Sequence, residues 1–281
     1  MDFDEAVSFL ARRLPERPSL FIVYTNALGD FPVVLESPVR FSCDQIPRFP
    51  SKGEGLAPPR LLYGRSSGVH VLVLQGRYHR HEGYTRDEIC FPVRVARCLG
   101  CRRMLAVNAA GSVGDRFELG DLMLVRSHVD LAALGTDAGR ILGGGEREIE
   151  ENAKLYERDF AKMAGKVAVE EGMDKYVKTG VYGMIEEAIP MNHSQIMNWK
   201  TLGVDAVGTS LVPEVATAVK LGMEVCAMSV LTDSGILDYS EHPDPVPEDI
   251  HRALAPKRSL VKKLLIRFID LMAGKDDQIK K

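Results

Sequence analysis

Short apolar runs alternate with longer amphipathic segments along most of the chain. The apolar runs have the length and the β-branched or aromatic content of buried strands, and the segments between several of them repeat apolar residues at the helical period. The predicted strands are Leu20–Tyr24, Arg60–Tyr63, Val69–Gln75, Met104–Val107, Leu122–Val125, Val177–Met184, Ala206–Gly208 and Val225–Leu231. The predicted helices are Phe3–Leu14, Thr85–Leu99, Glu146–Glu171, His193–Leu202, Val212–Leu221 and Pro247–Met272. Strands that alternate with helices predict an α/β fold with a twisted, mostly parallel central β-sheet flanked by helices.

The chain shows no internal linker that would divide it into two units. Its 281 residues lie within the single-domain range. We predict a single domain over residues 1–274, followed by a charged C-terminal tail over residues 275–281. The segments 49–59 and 131–145 are rich in Gly, Pro and small residues, which predicts surface loops near a site or a subunit contact.

Composition and charge narrow the classes of partner. The formal net charge is −3, with 27% charged and 45% hydrophobic residues. This balance argues against binding to nucleic acid or to an anionic membrane, and favours a small, roughly neutral ligand. The acidic N-terminus and the shortness of the apolar runs predict a cytoplasmic protein without a signal peptide or membrane span. The five cysteines show no disulfide-scaffold spacing, so we expect them to be reduced, and no zinc motif accompanies Cys98 and Cys101.

The first candidate functional residues follow the end of the predicted strand Val69–Gln75. Strand ends of an open α/β sheet are where ligands bind. Arg77 offers a planar fork of donors suited to phosphate, His79 lies two residues further on the same side of an extended backbone, and Glu82 can accept hydrogen bonds from sugar hydroxyls. A solvated loop with chance histidines is the alternative interpretation of this segment.

Two later strand ends carry further candidates. Asn108 follows an apolar strand and precedes small residues that would let a ligand approach the backbone. Thr209 and Ser210 precede a helix start, where backbone N–H groups and the helix dipole attract anions. The alternatives are a tight turn after Asn108 and a helix cap at Ser210.

Together these segments resemble the trimeric purine nucleoside phosphorylases, and the matches keep the family's order over most of residues 60–240. The matching segments are Gln75–Tyr84, Phe91–Val95, Asn108–Gly111, Phe117–Leu124, Leu202–Gly208 and Val212–Val215. The resemblance implies phosphate-dependent cleavage of the N-glycosidic bond of purine nucleosides, a pentosyl transfer in purine metabolism that gives the free base and ribose 1-phosphate. It implies no metal and no organic cofactor, with inorganic phosphate as co-substrate, and a homotrimer as the assembly.

The resemblance also assigns roles to individual positions. Phosphate-binding positions are Arg77, His79, Asn108, Ala109, Ser210 and Asn26. Ribose- and base-binding positions are Glu82, His81, Thr209, Thr232, Asp233 and Met191. The catalytic positions are Asp233, His79 and Glu82. Replacing Arg77 by alanine is then expected to reduce phosphate-dependent turnover with little effect on folding.

Several functional positions depart from the family pattern. The glycine-rich phosphate loop reads Thr25–Gly29 with two glycines lost, and Met191 stands where the family has a base-binding glutamate, with Glu187 or Asn192 as substitutes. Asp233 replaces an asparagine, which favours 6-amino purines because an ionised carboxylate accepts hydrogen bonds but cannot donate to a 6-oxo group. The family's 5′-hydroxyl histidine has no clear counterpart, and its long intersubunit loop is contracted to residues 131–145.

These departures leave three functions open. The first is an active purine nucleoside phosphorylase with altered specificity. The second is a catalytically inactive family member that acts as a structural subunit with protein assembly partners. The third is a nucleoside-binding protein without turnover, because one fold hosts many functions and activity must be argued from the site.

Overall fold

The computed structural model describes residues 3–31, 33, 35–51, 57–113, 116–134, 138–186, 193–234 and 258–279. The strands are β1 Leu20–Tyr24, β2 Glu36–Ser42, β3 Arg60–Ser66, β4 Val69–Gln75, β5 Arg103–Ser112, β6 Leu122–Asp130, β7 Val177–Met184, β8 Ala206–Gly208 and β9 Glu224–Ser234. The helices are α1 Asp4–Ala11, α2 Arg86–Leu99, α3 Leu131–Leu134, α4 Ala138–Ala153, α5 Asp159–Glu170, α6 His193–Leu202, α7 Val212–Lys220 and α8 Arg258–Ile279. Strands and helices therefore alternate through most of the described chain, as the α/β prediction requires.

The strands form one sheet in the order β2-β3-β4-β1-β5-β8-β7-β6-β9, with an additional pairing between β5 and β9. Within the described residues the sheet is mixed, because five strand pairings are parallel and four are antiparallel. β3 and β4 are antiparallel because a two-residue turn joins them, with Ser67 at φ 50° and Gly68 at φ 82°. Positive φ at both central residues gives the turn type whose twist matches a hairpin.

Five of the strands close into a ring. β5 pairs with both β8 and β9, β8 pairs with β7, β7 with β6, and β6 with β9. Closure gives every strand of the ring two neighbours and leaves no open edge on this side of the sheet. β1, β4, β3 and β2 continue the sheet outward from β5.

Helices cover both faces of the sheet. One apolar cluster joins the inner sides of α1, α2 and α7 to the sheet, with Leu10, Phe91 and Val215 among its buried members. The opposite cluster joins α5 and α8 to the other face, with Phe160 and Phe268 among its buried members. The predicted central sheet flanked by helices is thus confirmed, and the burial of both faces explains why the strands are nearly continuous apolar runs.

The segment 131–145 differs from its prediction as a surface loop. Its described residues form α3 and the first part of α4. Gly145 explains the error, because a Cβ on this residue would lie 2.6 Å from a methyl carbon of Leu202. The glycine that suggested a loop instead lets α4 approach α6 closely.

Three further parts of the secondary structure differ from the sequence predictions. β2 was not predicted, since its alternating exposed residues and Pro38 gave no apolar run. The predicted helix Glu146–Glu171 is divided into α4 and α5 by a short 3₁₀ segment, Lys154–Tyr156. At the C-terminus, α8 continues through Ile279 and includes most of the predicted tail, because Lys, Asp and Gln are compatible with a helix.

No helix among the described residues combines the length and the apolar character that crossing a bilayer requires.

A buried histidine on β6 gives the fold a predictable response to acid. His128 is 2% exposed, its Nδ1 lies 2.8 Å from the Tyr156 hydroxyl, and burial lowers its pKa from 6.5 to about 4. The unfolded chain binds this proton near pH 6.5 whereas the folded chain does not, so stability falls as pH drops below 6.5. We expect a loss of roughly 2 kcal/mol in unfolding free energy between pH 8 and pH 5 from this residue.

Urea denaturation at the two pH values measures this effect. The control is His128→Asn, whose side-chain amide can occupy the Nδ1 position without titrating. This variant should lose about 2 kcal/mol less between pH 8 and pH 5 than the unmodified chain. An identical pH dependence in both proteins would rule out His128 as the group responsible.

Candidate functional site

The candidate residues converge at one edge of the sheet. β1 is parallel to β4 and β5, and β5 is parallel to β9, so the carboxyl ends of these four strands lie on the same side. β8 runs antiparallel to β5, and its last residue, Gly208, would place a Cβ 3.4 Å from the carbonyl oxygen of Ala109. The chain after β8 therefore runs back along β5 toward Asn108, which lies level with the carboxyl ends of β1 and β4. This edge is where ligands bind in open α/β sheets.

Arg77 and Glu214 form a buried ion pair beneath this edge. Arg77 Nε lies 2.9 Å from Glu214 Oε1, and the two side chains are 1% and 4% exposed. Arg77 also donates from Nη1 to the Val107 carbonyl at 2.9 Å and from Nη2 to the Val23 carbonyl at 3.4 Å. The guanidinium thus ties the end of β1 and the middle of β5 to α7. Replacing Arg77 would affect folding strongly, contrary to the sequence-based expectation, because it leaves a buried carboxylate unpaired.

The turn before α7 is strained and is held by the same carboxylate. Leu211 has φ 82° and ψ −52°, and the Val212 N–H donates to the Ser210 carbonyl at 3.1 Å. This geometry is the strained form of the γ-turn, which non-glycine residues rarely adopt. The Leu211 N–H donates to Glu214 Oε2 at 2.7 Å. Glu214 therefore stabilises both Arg77 and the turn that presents Ser210.

A buried amide network joins four elements around Asn108. Asn108, Tyr182, Ser210 and Ser229 are its members, and Asn108 is only 1% exposed. Its Nδ2 donates to the Tyr182 hydroxyl at 3.1 Å and to Ser210 Oγ at 3.4 Å, and its Oδ1 accepts from Ser229 Oγ at 2.7 Å. These bonds fix the direction of the amide and place the Ser210 hydroxyl beside it.

Residues His79–Gly83, which we call the histidine turn, follow β4 and consist of a short 3₁₀ segment, Arg80–Glu82, with His79 and Gly83 at its two ends. Glu82 Oε2 accepts a hydrogen bond from the backbone N–H of His79 at 3.0 Å, and it lies 3.4 Å from His79 Nδ1. The His79 and His81 rings stack with centroids 4.9 Å apart. One nitrogen from each imidazole and one Glu82 oxygen lie within 4.8 Å of one another, so these side chains could together hold a metal ion.

Burial keeps the His79 imidazole neutral. Desolvation lowers the pKa of His79 below its usual value, and the neighbouring Arg77 charge lowers it further. A neutral imidazole carries one N–H donor and one unprotonated nitrogen. His79 can therefore donate a hydrogen bond to an anion at neutral pH, whereas Arg77 supplies the positive charge.

The end of β9 carries a bulge beside the site. Ala110 on β5 pairs with Leu231, and the next residue, Gly111, pairs with Asp233. Thr232 is the extra residue, and its hydroxyl donates to the Ala110 carbonyl at 3.4 Å. Bulges of this kind redirect side chains next to active sites. This bulge places the backbone of Asp233 at the same edge of the sheet as Asn108.

The loop after β1 differs from a glycine-rich phosphate cradle. Asn26–Leu28 form a 3₁₀ turn in which the Leu28 and Gly29 N–H groups donate to the Thr25 and Asn26 carbonyls. A cavity of about 660 Å³ is lined by Asn26 together with Arg40 and Arg60, whereas Arg77, His79, Asn108 and Ser210 do not line it. Asn26 nevertheless lies beside the segment that carries Arg77, because a Cβ on Gly76 would stand 2.9 Å from Asn26 Nδ2, and its assignment to phosphate stays a prediction.

The other predicted site residues divide into two groups. Ala109 and Thr209 are partly buried and lie on the segments that carry Asn108 and Ser210. Met191, Glu187 and Asn192 lie outside the described residues, as does the side chain of Asp233.

Sequence reasoning missed three residues that organise the site: Glu214, Tyr182 and Ser229. Glu214 stands in the Val-Pro-Glu-Val segment that resembles the family, so it carried a signal. Tyr182 and Ser229 lie among the buried residues of β7 and β9, and a single polar atom in a buried strand does not reveal its partner.

Comparison with known proteins identifies the family to which this site belongs. A family model described as "Phosphorylase superfamily" matches residues 29–270 of this chain. The chain belongs to the phosphorylase superfamily. Every member of the buried amide network and the whole histidine turn lie within the matched range, whereas the divergent residues 25–28 precede it.

Relatives within the phosphorylase superfamily cover nearly the whole chain. Purine nucleoside phosphorylase 1 of Bacillus subtilis is 32% identical over 272 residues, which are 94% of this chain and 98% of that protein. The solved structure of Schistosoma mansoni purine nucleoside phosphorylase in complex with adenosine has a TM-score of 0.82 at 27% identity, over 95% of each chain. Isoform 2 from the same organism, in complex with cytosine and ribose-1-phosphate, has a TM-score of 0.82 at 25% identity, again over 95% of each chain. The family resemblance and the fold are thereby confirmed.

Proposed function

We propose that this member of the phosphorylase superfamily is a purine nucleoside phosphorylase that cleaves the N-glycosidic bond with inorganic phosphate. The observation that carries the proposal is the convergence of Arg77, Asn108 and Ser210 at the carboxyl edge of the sheet, in a chain that aligns over 94% of its length with a purine nucleoside phosphorylase. The products are the free base and ribose 1-phosphate, and no metal or organic cofactor takes part.

The phosphate site follows from the contacts already described. Ser210 Oγ and the neutral His79 imidazole supply hydrogen-bond donors. Three of the five N–H donors of Arg77 bind Glu214, Val107 and Val23, and the remaining donors serve the anion. Because the guanidinium is buried, solvent screens its charge weakly, and the Glu214 carboxylate at 2.9 Å offsets part of that charge. Ala109, beside Asn108, completes the phosphate-binding positions, and Asn26 would contribute through its loop.

In the proposed reaction the protein promotes cleavage by placing charges and hydrogen-bond donors around the reacting groups. Phosphate attacks the anomeric carbon as the glycosidic bond lengthens, so positive charge develops on the ribose and negative charge on the purine. Glu82, held by the His79 N–H at 3.0 Å, would accept from a ribose hydroxyl. Thr209 and His81 lie next to these contacts, and Thr232, Asp233 and Met191 complete the proposed ribose and base positions.

The decisive experiment incubates inosine and adenosine with the purified chain, with and without phosphate, and measures the release of the free base. Release that requires phosphate would establish the enzyme. Absence of release from both nucleosides, by a chain whose circular dichroism shows it folded, would favour the inactive structural subunit or the nucleoside-binding protein. Equilibrium binding of the nucleoside would then separate these two alternatives, which the full-length similarity to phosphorylases does not favour.

Asp233 is expected to set the preference for the base. We expect Asp233→Asn to raise the ratio of kcat/KM for inosine over adenosine by at least about 10-fold, because an amide restores the donor that a 6-oxo group needs. Asp233→Ser is the matched control, since it removes the charge without supplying an amide. An unchanged ratio in Asp233→Asn would place base recognition at another residue.

The proposal extends to assembly and location. A homotrimer and a cytoplasmic location are both part of it, and the free state of all five cysteines supports a reducing compartment. Sedimentation of the purified chain tests the trimer.

A further inference from the structure

The histidine turn places an unusual set of donors within a few ångströms. His79, His81 and Glu82 come from four consecutive residues, and one donor atom from each lies within 4.8 Å of the others. Two imidazoles and one carboxylate are the donor set that catalytic zinc sites use with a water in the fourth position. Imidazole nitrogen favours Zn²⁺ and its transition-metal neighbours over Mg²⁺ and Ca²⁺, which prefer oxygen.

One edge of a tetrahedral site is already present. With metal–ligand bonds of about 2.0–2.1 Å, adjacent ligand atoms of a tetrahedral ion stand about 3.3–3.4 Å apart. His79 Nδ1 and Glu82 Oε2 are separated by 3.4 Å. This nitrogen is buried and has no hydrogen-bond partner among the described residues. An unsatisfied buried nitrogen beside a carboxylate is the arrangement that a bound cation would complete.

The third ligand can reach the ion with little movement. His81 is exposed, so its ring can rotate without disturbing the core, and its nitrogen needs to move by no more than about 1.5 Å to reach the tetrahedral spacing. The carboxylate is fixed by the His79 N–H at 3.0 Å. Gly83, at φ 89°, ends the turn in a conformation that favours glycine.

We propose that His79, His81 and Glu82 form a binding site for a divalent transition-metal ion of the Zn²⁺ type, and that the bound ion excludes phosphate and nucleoside. The binding half of this proposal stands on the geometry of the turn. The inhibitory half rests on the proposed function, because the same three side chains are assigned there to phosphate and ribose. The ion is an inhibitor that competes with substrate, and it has no role in the cleavage reaction.

Calorimetric titration of the metal-free full chain with Zn²⁺, and Co²⁺ absorption spectra for tetrahedral coordination, test the site. We expect one tight site per chain, weakened on the order of 100-fold in both His81→Ala and Glu82→Gln. Arg80→Ala is the matched control, since Arg80 lies between the ligands and pairs with Glu186 at 3.1 Å. It should keep the affinity within about threefold, because a neighbouring non-ligand side chain contributes little. Equal affinity in all four proteins would overturn the site.

Competition by sulfate tests the inhibitory half without measuring turnover. Sulfate resembles phosphate in shape and charge but does not precipitate zinc. It should weaken the apparent affinity for Zn²⁺ in the unmodified chain. If zinc binds tightly and needs His81 and Glu82, yet sulfate has no effect, the two sites do not overlap and the inhibitory half is wrong. If the metal-free chain shows no phosphorolysis, the proposed function is refuted. The zinc site is not, since zinc binding is measured independently of turnover.

Discussion

Arg77→Met is expected to lower the free energy of unfolding by about 3–5 kcal/mol, because it leaves the buried carboxylate of Glu214 without its partner. Methionine retains the length and much of the volume of the arginine stem, so the loss reports the charge and its hydrogen bonds more than a cavity. The Val107 and Val23 carbonyls also lose a donor. Urea denaturation of the variant and the unmodified chain measures the difference.

The double variant Arg77→Met/Glu214→Leu separates stability from function. Removing both charges abolishes the unpaired carboxylate, so most of the lost stability should return. Phosphate-dependent turnover should remain low, because the strained turn at Leu211 loses the carboxylate that its N–H binds at 2.7 Å. A double variant as unstable as Arg77→Met would mean that the ion pair is not the source of the loss.

The second large effect is expected at Asn108. Replacing it by leucine, which has nearly the same shape, removes the amide from three hydrogen bonds. The buried Ser229 hydroxyl then loses its acceptor and the Tyr182 hydroxyl keeps only the Ser210 N–H at 3.5 Å, which should cost roughly 2–4 kcal/mol of unfolding free energy. Turnover should fall by about 100-fold or more, because Ser210 loses the neighbour that fixes its direction.

Ser229→Ala is the control for this network. It removes the hydroxyl that binds Asn108 Oδ1 at 2.7 Å but leaves the bonds to Tyr182 and Ser210. We expect a smaller loss of stability, about 1–3 kcal/mol, and a smaller loss of turnover. If Asn108→Leu and Ser229→Ala reduce turnover equally, the hydrogen bond from Asn108 to Ser210 makes no measurable contribution to turnover.

Much of the fold could be predicted from apolar periodicity because both faces of the sheet are buried. β1 and β4 coincide with their predicted ranges, since a strand covered on both faces has an unbroken apolar sequence. β2 was not predicted because it lies at the edge of the sheet with exposed side chains. The first part of α4 was predicted as a loop because its glycines serve contacts between helices. The sequence alone does not show that Gly145 lies in a helix, because the reason for a glycine at this position is its contact with Leu202.

The candidate site was predictable at the level of segments and not of contacts. The position of Arg77 after β4 follows from the sequence, because parallel strands bring their carboxyl ends to one edge. Asn108 differs from its prediction at a strand end, because β5 continues to Ser112, and Ser210 reaches Asn108 from β8, which is antiparallel to β5. That Arg77 is committed to Glu214, 137 residues later, depends on how α7 packs. The γ-turn at Leu211 depends on that same packing, because its strain is sustained by tertiary contacts and not by local propensity.

The single open edge of the sheet has a consequence for self-association. In the described part of the chain, β2 is the one strand with a single neighbour. It is poorly suited to recruit a strand from another molecule, because Pro38 lacks a backbone donor and the pairing shifts register between Glu36 and Val39. Charged side chains at Glu36 and Arg40 further oppose stacking. Concentrated solutions of the protein should therefore resist growth into fibres linked through strand pairing at β2.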